Sequence, residues 1–110
     1  MDYNDIMNIR ENRTSEKWIE KALGEYVSRH GGASVKMGDR AKNGLPDRLV
    51  LWPGGVAEFI ELKSTGKRMS HIQRTVRALL VQMGFRYTVI DSETSLVQWQ
   101  NLHREHIRRK

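Results

Sequence analysis

Twenty consecutive residues decide how this chain folds: GLPDRLVLWPGGVAEFIELK, at positions 44–63. Two runs that favour β-structure, 48–52 and 56–63, flank the turn signal Pro-Gly-Gly at 53–55. Runs of this kind joined by so short a turn are typical of a β-hairpin. The stretch therefore predicts two neighbouring antiparallel strands near the middle of the chain.

A pair of carboxylates is expected across this hairpin. A three-residue turn places Asp47 opposite Glu61 with their Cβ atoms about 5 Å apart, whereas another turn length would shift the pairing by one residue. Because side chains alternate along a strand, Glu61 and Lys63 share a face. Two carboxylates suit Mg²⁺, and a lysine beside them can orient water and stabilise charge on a phosphate. On its own, Glu-x-Lys more often marks an ion pair on a solvated strand face. The presence of Asp47 on the predicted partner strand favours the catalytic interpretation instead.

The segments around the hairpin predict a sheet flanked by helices. Before the hairpin, a helix capped by Thr14 or Ser15 and ended by the glycines at 31–32 is followed by a strand at 34–37. After the hairpin, the capping-box spacing of 70–73 opens a second helix, and a strand follows at 85–90. A last helix begins at Asp91 or Ser92 and ends in a basic tail at 108–110. This order, α-β-β-β-α-β-α, indicates an α/β fold with a mixed central sheet. Residues 1–13 are expected to form an N-terminal arm, and 14–110 a single domain.

Glu16 lies at the start of the first helix, on the edge of its apolar stripe. The stripe consists of Trp18, Ile19, Ala22, Leu23, Tyr26 and Val27. A carboxylate in this position either interacts with the helix dipole or has a partner such as a metal ion. Both interpretations stay open from position alone.

Composition points to a polyanionic partner. The 110 residues are 38% hydrophobic and 29% charged, with a formal net charge of +6, as in a basic globular domain that binds nucleic acid. With no cysteine in the sequence, disulfides, Cys-based zinc sites and Cys nucleophiles are excluded. No apolar run is long enough to span a bilayer and the N-terminus lacks signal-peptide character, so a cytoplasmic location without membrane contact is expected.

Three segments carry a resemblance to a known family: GLPDRLVL at 44–51, FIELK at 59–63 and SHIQ at 70–73. Together they closely resemble VRR-NUC, a branch of the PD-(D/E)XK nucleases, and the similarity runs from about residue 15 to 91. It implies a restriction-endonuclease-like core that hydrolyses DNA phosphodiesters with Mg²⁺, or Mn²⁺ as a substitute, and no small-molecule cofactor. The core positions show no departure from the family pattern.

The resemblance also assigns roles to individual residues. It implies metal ligands at Glu16, Asp47, Glu61 and the backbone carbonyl of Leu62, a catalytic lysine at Lys63, and at Gln73 the glutamine that follows the core motif. Gln73 is also the capping-box partner of Ser70, and both roles can hold together. Stand-alone members resemble Holliday junction resolvases, which implies a homodimer that acts on branched DNA.

Basic side chains around these positions are the candidates for phosphate contacts: Lys36, Arg40, Lys42, Lys67 and Arg68. For any one of them, ordinary surface charge is the commoner explanation. His103 and His106 are expected on a solvated helix face, because no carboxylate or cysteine cluster accompanies them, and an HNH-type nuclease is disfavoured.

Three alternatives to this function remain from sequence alone. The first is a repair or restriction nuclease acting on other DNA structures, and the second is a DNA-binding module that has lost catalysis. The third is a basic structural protein, which leaves the carboxylate and lysine pattern as coincidence.

Overall fold

The structure, a computed structural model, describes residues 14–38 and 43–108, so the proposed N-terminal arm lies outside the described residues. Its elements are α1 (Glu16–Arg29), β1 (Ala33–Lys36), β2 (Arg48–Trp52), β3 (Val56–Leu62), α2 (His71–Gln82), β4 (Arg86–Ile90) and α3 (Glu93–Arg108). Over the described residues, the predicted order of helices and strands is confirmed. Within the described part of the chain, no helix is long and apolar enough to cross a membrane.

The four strands form one mixed sheet in the order β1-β2-β3-β4. β1 and β2 pair antiparallel, as do β2 and β3, whereas β4 lies parallel to β3. The hairpin pairs Trp52 with Val56 and Arg48 with Ile60, so the turn contains three residues and the next pair outward is Asp47 with Glu61. The register that the carboxylate pair requires is therefore the one the chain adopts.

The two faces of the sheet have different environments. One face carries the core, in which Val50, Ile60 and Leu62 are buried against α1 and α3. The opposite face carries Glu61 and is the side on which α2 lies, since Gln73 of that helix contacts Glu61. Each fully buried aliphatic side chain contributes about 1.5–3 kcal/mol to stability, so α1 and α3 hold the sheet while α2 covers the carboxylate side.

Helix α1 begins where the sequence predicts. Ser15 is the N-cap, and its hydroxyl accepts a hydrogen bond from the Trp18 amide at 3.1 Å. The chain leaves the helix at Gly31, whose φ of +78° favours glycine. Trp18 was expected in the apolar stripe, but its side chain is 46% exposed. It lies at the edge of the helix face that contacts the sheet, so the stripe is narrower than its spacing predicts.

The prediction that His103 lies on a solvated face is wrong. Its side chain is 7% exposed, its Nδ1 lies 2.8 Å from the hydroxyl of Tyr26, and its ring stacks on Trp52 at 3.9 Å between centroids. The cause is the packing of α3 on α1, which the helical spacing of α3 alone did not reveal. His103 is a core residue of the face opposite Glu61.

Near His103 lies a carboxylate that no sequence motif singles out. Glu58 is 4% exposed, and its two oxygens each accept a hydrogen bond from an indole N–H, Trp52 and Trp99, both at 2.7 Å. A buried carboxylate is costly unless it is hydrogen-bonded. The two tryptophans satisfy that requirement and tie β2, β3 and α3 together.

Candidate active site

The hairpin brings Asp47 and Glu61 into direct contact. The Asp47 amide donates to Glu61 Oε1 at 3.1 Å, and the Leu62 amide donates to Asp47 Oδ2 at 2.6 Å. Each carboxylate thus accepts from the backbone of the other strand. Because both side chains are anchored by main-chain donors, their orientation follows from the strand register rather than from flexible surface contacts.

Two further side chains fix the second oxygen of Glu61. Gln73 Nε2 donates to Oε2 at 2.6 Å, and Lys63 Nζ lies 3.4 Å from the same oxygen. Gln73 also closes the capping box of α2. The Ser70 hydroxyl accepts a hydrogen bond from the backbone amide of Gln73 at 3.2 Å, and the side-chain Oε1 of Gln73 accepts one from the backbone amide of Ser70 at 2.9 Å. The capping-box role of Gln73 is therefore present in the structure, and its contact with Glu61 leaves the role implied by the family resemblance as a prediction.

Both carboxylates are withdrawn from solvent, with Asp47 2% and Glu61 0% exposed. Two adjacent buried anions repel each other and are poorly hydrated, and the ammonium of Lys63 adds one compensating charge. The donor set consists of hard carboxylate oxygens beside the backbone of Leu62, which is the kind that Mg²⁺ or Mn²⁺ prefers. The residues present therefore fit a divalent cation held by Asp47, Glu61 and the Leu62 carbonyl.

Glu16 lies near the same end of the sheet. It is half-buried in the first turn of α1. Two residues earlier, the Thr14 backbone amide donates a hydrogen bond to the Thr65 hydroxyl, and the Thr65 backbone amide donates one to the Thr14 carbonyl. Thr65 lies two residues after Lys63. In the part of the chain that the structure describes, no three His, Cys, Asp or Glu side chains converge closely enough to hold a metal ion. A ligand role for Glu16 stays a prediction.

The proposed phosphate contacts are distributed over several segments. Lys67 and Arg68 are exposed in the loop after Lys63. Lys36 pairs with Arg48, which pairs with Ile60, so its side chain projects from the sheet face opposite Glu61. Arg40 and Lys42 lie outside the described residues.

Sequence reasoning missed Tyr87, which lies on the same sheet face as Glu61. In the β3–β4 register Phe59 pairs with Tyr87 and Glu61 with Val89. Burial raises the pKa of Tyr87 to about 12, with the negative charge of Glu61 acting in the same direction and Arg77 opposing it. The phenol is therefore protonated at neutral pH. The parallel register of β4, which places it here, has no signal in the local sequence.

Comparison with known proteins bears on this site. No family model matches the chain. A curated protein, "Putative nuclease p44" of Acyrthosiphon pisum secondary endosymbiont phage 1, is 36% identical over 78 residues, which cover 71% of this chain and 84% of that protein.

A solved structure described as "VRR_NUC domain" shares the fold, with a TM-score of 0.72 and 24% sequence identity. The match covers 78% of this chain and 94% of the other. The mixed four-stranded sheet flanked by helices is thus the restriction-endonuclease-like fold expected from the sequence. The carboxylate pair at the hairpin, the fold and the 36% identical relative agree that this chain belongs to the VRR-NUC family of PD-(D/E)XK nucleases.

Proposed function

We propose that the protein is a metal-dependent DNA endonuclease. The observation that supports this function best is the contact between Asp47 and Glu61, with Lys63 3.4 Å from the same Glu61 oxygen that accepts from Gln73. An ion pair on a solvated strand face would leave these groups exposed, whereas here both carboxylates are buried. Burial of two anions is costly in stability and is expected where it serves a ligand or a reaction.

The residues divide the work of phosphodiester hydrolysis. Asp47, Glu61 and the Leu62 carbonyl would hold Mg²⁺ or Mn²⁺, with Glu16 as a further ligand. The ion would supply Lewis acidity to the scissile phosphate and to the attacking water. Lys63 orients that water and stabilises the charge that develops on the phosphate, while Gln73 holds Glu61 in place.

Branched DNA, such as a Holliday junction, is the proposed substrate, and a homodimer the proposed form. The net charge of +6 suits a polyanion, with Lys67 and Arg68, in the loop after Lys63, as phosphate contacts. No base-reading motif is evident in the sequence, which favours recognition by shape. One site cuts one strand, so two copies are needed for paired cuts. Such an enzyme would act in the cytoplasm, where DNA is available to it.

The test is cleavage of end-labelled four-way junction, flap, duplex and single-stranded DNA in Mg²⁺, Mn²⁺ or EDTA. The lysine variant Lys63→Ala is compared with Lys21→Ala, which removes an exposed lysine from α1. We expect metal-dependent cutting by the wild type and by Lys21→Ala. Loss of Lys63 should reduce the cleavage rate by about 100-fold or more, as removal of a group that stabilises transition-state charge does.

The outcomes separate the alternatives. Paired nicks across the four-way junction would support the resolvase-like function, whereas preferential cutting of flaps or duplex would identify a nuclease that acts on other DNA structures. Tight binding without cutting in either metal would contradict the nuclease and leave a catalytically silent DNA-binding module. Cutting that persists in Lys63→Ala would contradict the assigned role of that lysine.

A further inference from the structure

Helix α2 presents two polar side chains to the carboxylate face of the sheet, one helical turn apart. Gln73 reaches Glu61, and Arg77, four residues later, lies with its guanidinium carbon 5.6 Å from the centre of the Tyr87 ring. Residues at this spacing share one face of a helix. The same stripe that orients Glu61 therefore extends to an arginine.

No carboxylate of the described residues forms an ion pair with Arg77. Among the residues that the structure describes, the ion pairs are those of Arg48 with Glu20 and of Lys63 with Glu61. The side chain of Arg77 is solvent-exposed while one side of its guanidinium rests on the phenol ring. A cation held by an aromatic face keeps its in-plane N–H donors available for an oxyanion.

Tyr87 is placed to hold that arginine. It pairs with Phe59 in the parallel β3–β4 register, on the face that also carries Glu61, and the Phe59 ring packs against Phe85 at 5.4 Å between centroids. The Tyr87 hydroxyl is buried and, within the described residues, has no hydrogen-bond partner. What the residue offers to Arg77 is therefore its ring rather than its hydroxyl.

We infer that Arg77 contacts a phosphate of the bound DNA strand beside the carboxylate pair, and that Tyr87 is the positioning residue whose ring holds the guanidinium there. The inference rests on the proposed nuclease function and adds a residue pair to it. A planar guanidinium binds phosphate through two parallel hydrogen bonds, which fixes the direction of the strand as well as its distance. The ring limits the rotamers of Arg77 before DNA binds, so less side-chain entropy is lost on binding.

The test measures the affinity of a labelled four-way junction by fluorescence anisotropy in EDTA, where no cleavage occurs, over a range of salt concentrations. We expect Arg77→Ala to weaken binding by about 10-fold and to reduce the salt slope by about 1. Tyr87→Leu should weaken binding in the same direction, and the double variant should bind no worse than Arg77→Ala, because both changes remove one contact. Tyr87→Phe keeps the ring and should bind as the wild type does.

Lys21→Ala is the matched control, since it removes one positive charge from an exposed position on α1. Equal affinity and salt slope for Arg77→Ala and Lys21→Ala would overturn the inference. So would a double variant whose loss of affinity is the product of the losses caused by Arg77→Ala and Tyr87→Leu alone. If Tyr87→Leu does not fold, Arg77→Lys replaces it: lysine keeps the charge but lacks the planar contact. Wild-type affinity of Arg77→Lys would then overturn the positioning role.

Cleavage of the same junction in Mg²⁺ distinguishes this inference from the function on which it rests. If the wild type cuts the junction but Arg77→Ala binds it in EDTA with the same affinity as Lys21→Ala, only the role of Arg77 is overturned and the nuclease function stands. Absence of wild-type cutting in Mg²⁺ and Mn²⁺ overturns the nuclease function, and with it the position beside a reacting phosphate.

Discussion

Glu61 is oriented from two sides by groups that come from different parts of the chain. The Asp47 amide contacts one oxygen and the Gln73 side chain contacts the other. Gln73 also closes the capping box of its own helix, and the hydrogen bond from the Ser70 backbone amide to its Oε1 restricts its χ angles. The side chain at this position must accept a hydrogen bond from the Ser70 amide and donate one to Glu61. Glutamine is the side chain of this length that carries both an acceptor oxygen and a donor nitrogen at its end.

Replacing Gln73 by Glu tests this double role. The capping-box acceptor is retained, but the donor to Glu61 is lost and a second carboxylate takes its place. We expect Gln73→Glu to lower the free energy of unfolding by at least about 1–3 kcal/mol, the range for leaving a buried acceptor unsatisfied, because the acceptor here is a carboxylate. Urea unfolding at pH 7.5 without metal is the measurement.

Ser70→Ala is the control for that experiment. It removes the hydroxyl that accepts from the Gln73 amide and should cost about 1 kcal/mol, as N-cap losses do, without placing a new charge beside Glu61. If Gln73→Glu proved no less stable than Ser70→Ala, the contact with Glu61 would not be important for the metal-free fold.

At the residue scale, the sequence permits prediction of what depends on neighbours along the chain. The contact of Asp47 with Glu61 follows from the hairpin, and the Ser70–Gln73 capping box follows from its spacing. Tyr87 and Glu58 could not be identified in this way. Their environments are made by β4 and α3, whose positions depend on contacts distant in sequence.

At the element scale, the loop before β2 packs directly on the beginning of α2. Gly44 has a φ of +71°, and a Cβ there would lie 2.7 Å from the carbonyl oxygen of Ile72. The loop that leads into Asp47 and the helix that carries Gln73 are therefore in van der Waals contact. Small changes at this junction should disturb both sides of the carboxylate pair.

Gly44→Ala is expected to lower stability and cleavage together. It combines the cost of a positive φ for alanine, about 1 kcal/mol, with a clash against backbone that has no easy relief. Gly66→Ala is a matched control, because Gly66 has a φ of +88° with no atom within 4 Å of its added Cβ. Thermal unfolding and the cleavage rate of both variants are compared. Equal losses would show that φ alone, rather than the contact with α2, determines the effect.

The element boundaries were predictable because caps and turns are local. Ser15 and Ser70 begin their helices, and Pro-Gly-Gly sets the register of the hairpin. Burial on the helices was less predictable. Trp18 lies outside the core and His103 lies within it. Helical spacing predicts which side chains share a face of the helix, but it does not predict which neighbouring element covers that face.

At the scale of the whole molecule, His103 links stability to pH. Burial lowers the pKa of this imidazole and the nearby His30 lowers it further, whereas the Glu58 carboxylate acts in the opposite direction without reversing the shift. Because the fold favours the neutral ring, the unfolded chain binds a proton more readily. Stability is therefore present above the unfolded pKa of about 6.5 and is lost as pH falls below it toward the folded value.

We expect the urea midpoint to be lower at pH 5.5 than at pH 7.5, and part of this decrease to disappear in His103→Gln. Glutamine can still accept from or donate to the Tyr26 hydroxyl but does not titrate. A slope against pH that is unchanged in the variant would show that other groups, such as the buried carboxylates, determine the acid sensitivity.

The whole-molecule surface also carries an uncovered apolar area. The C-terminal half of α2 and the residues after it expose Leu79, Val81, Met83 and Phe85, each by 45% or more. Leu79 and Met83 are four residues apart and share one side of the helix, and exposed apolar side chains that lie together often mark a protein interface. In the proposed homodimer, this area is the candidate contact between the two copies.

Leu79→Glu is expected to yield a monomer by sedimentation equilibrium, because a charge would be buried in an apolar contact. The exposed apolar Val97 of α3, 44% exposed, offers a matched control, and Val97→Glu should leave the association unchanged. A wild type that is monomeric at the concentrations used for cleavage would contradict the dimer.

The fold class was predictable at this scale, because helices and strands in the observed order form few compact arrangements. The position of β4 was not: its parallel pairing with β3 is specified by long-range contacts. The oligomer is likewise a property that local patterns do not encode.

The bonds from two indoles to Glu58 have a consequence for spectroscopy. Of the three tryptophans in the sequence, Trp52 and Trp99 are 9% and 4% exposed, whereas Trp18 is 46% exposed at the start of α1. The intrinsic emission of the protein should thus contain two separable signals. Unfolding will shift the emission of the buried pair, while an added quencher will reach Trp18 first, so the chain carries reporters of its core and of the helix end nearest the carboxylates without any dye.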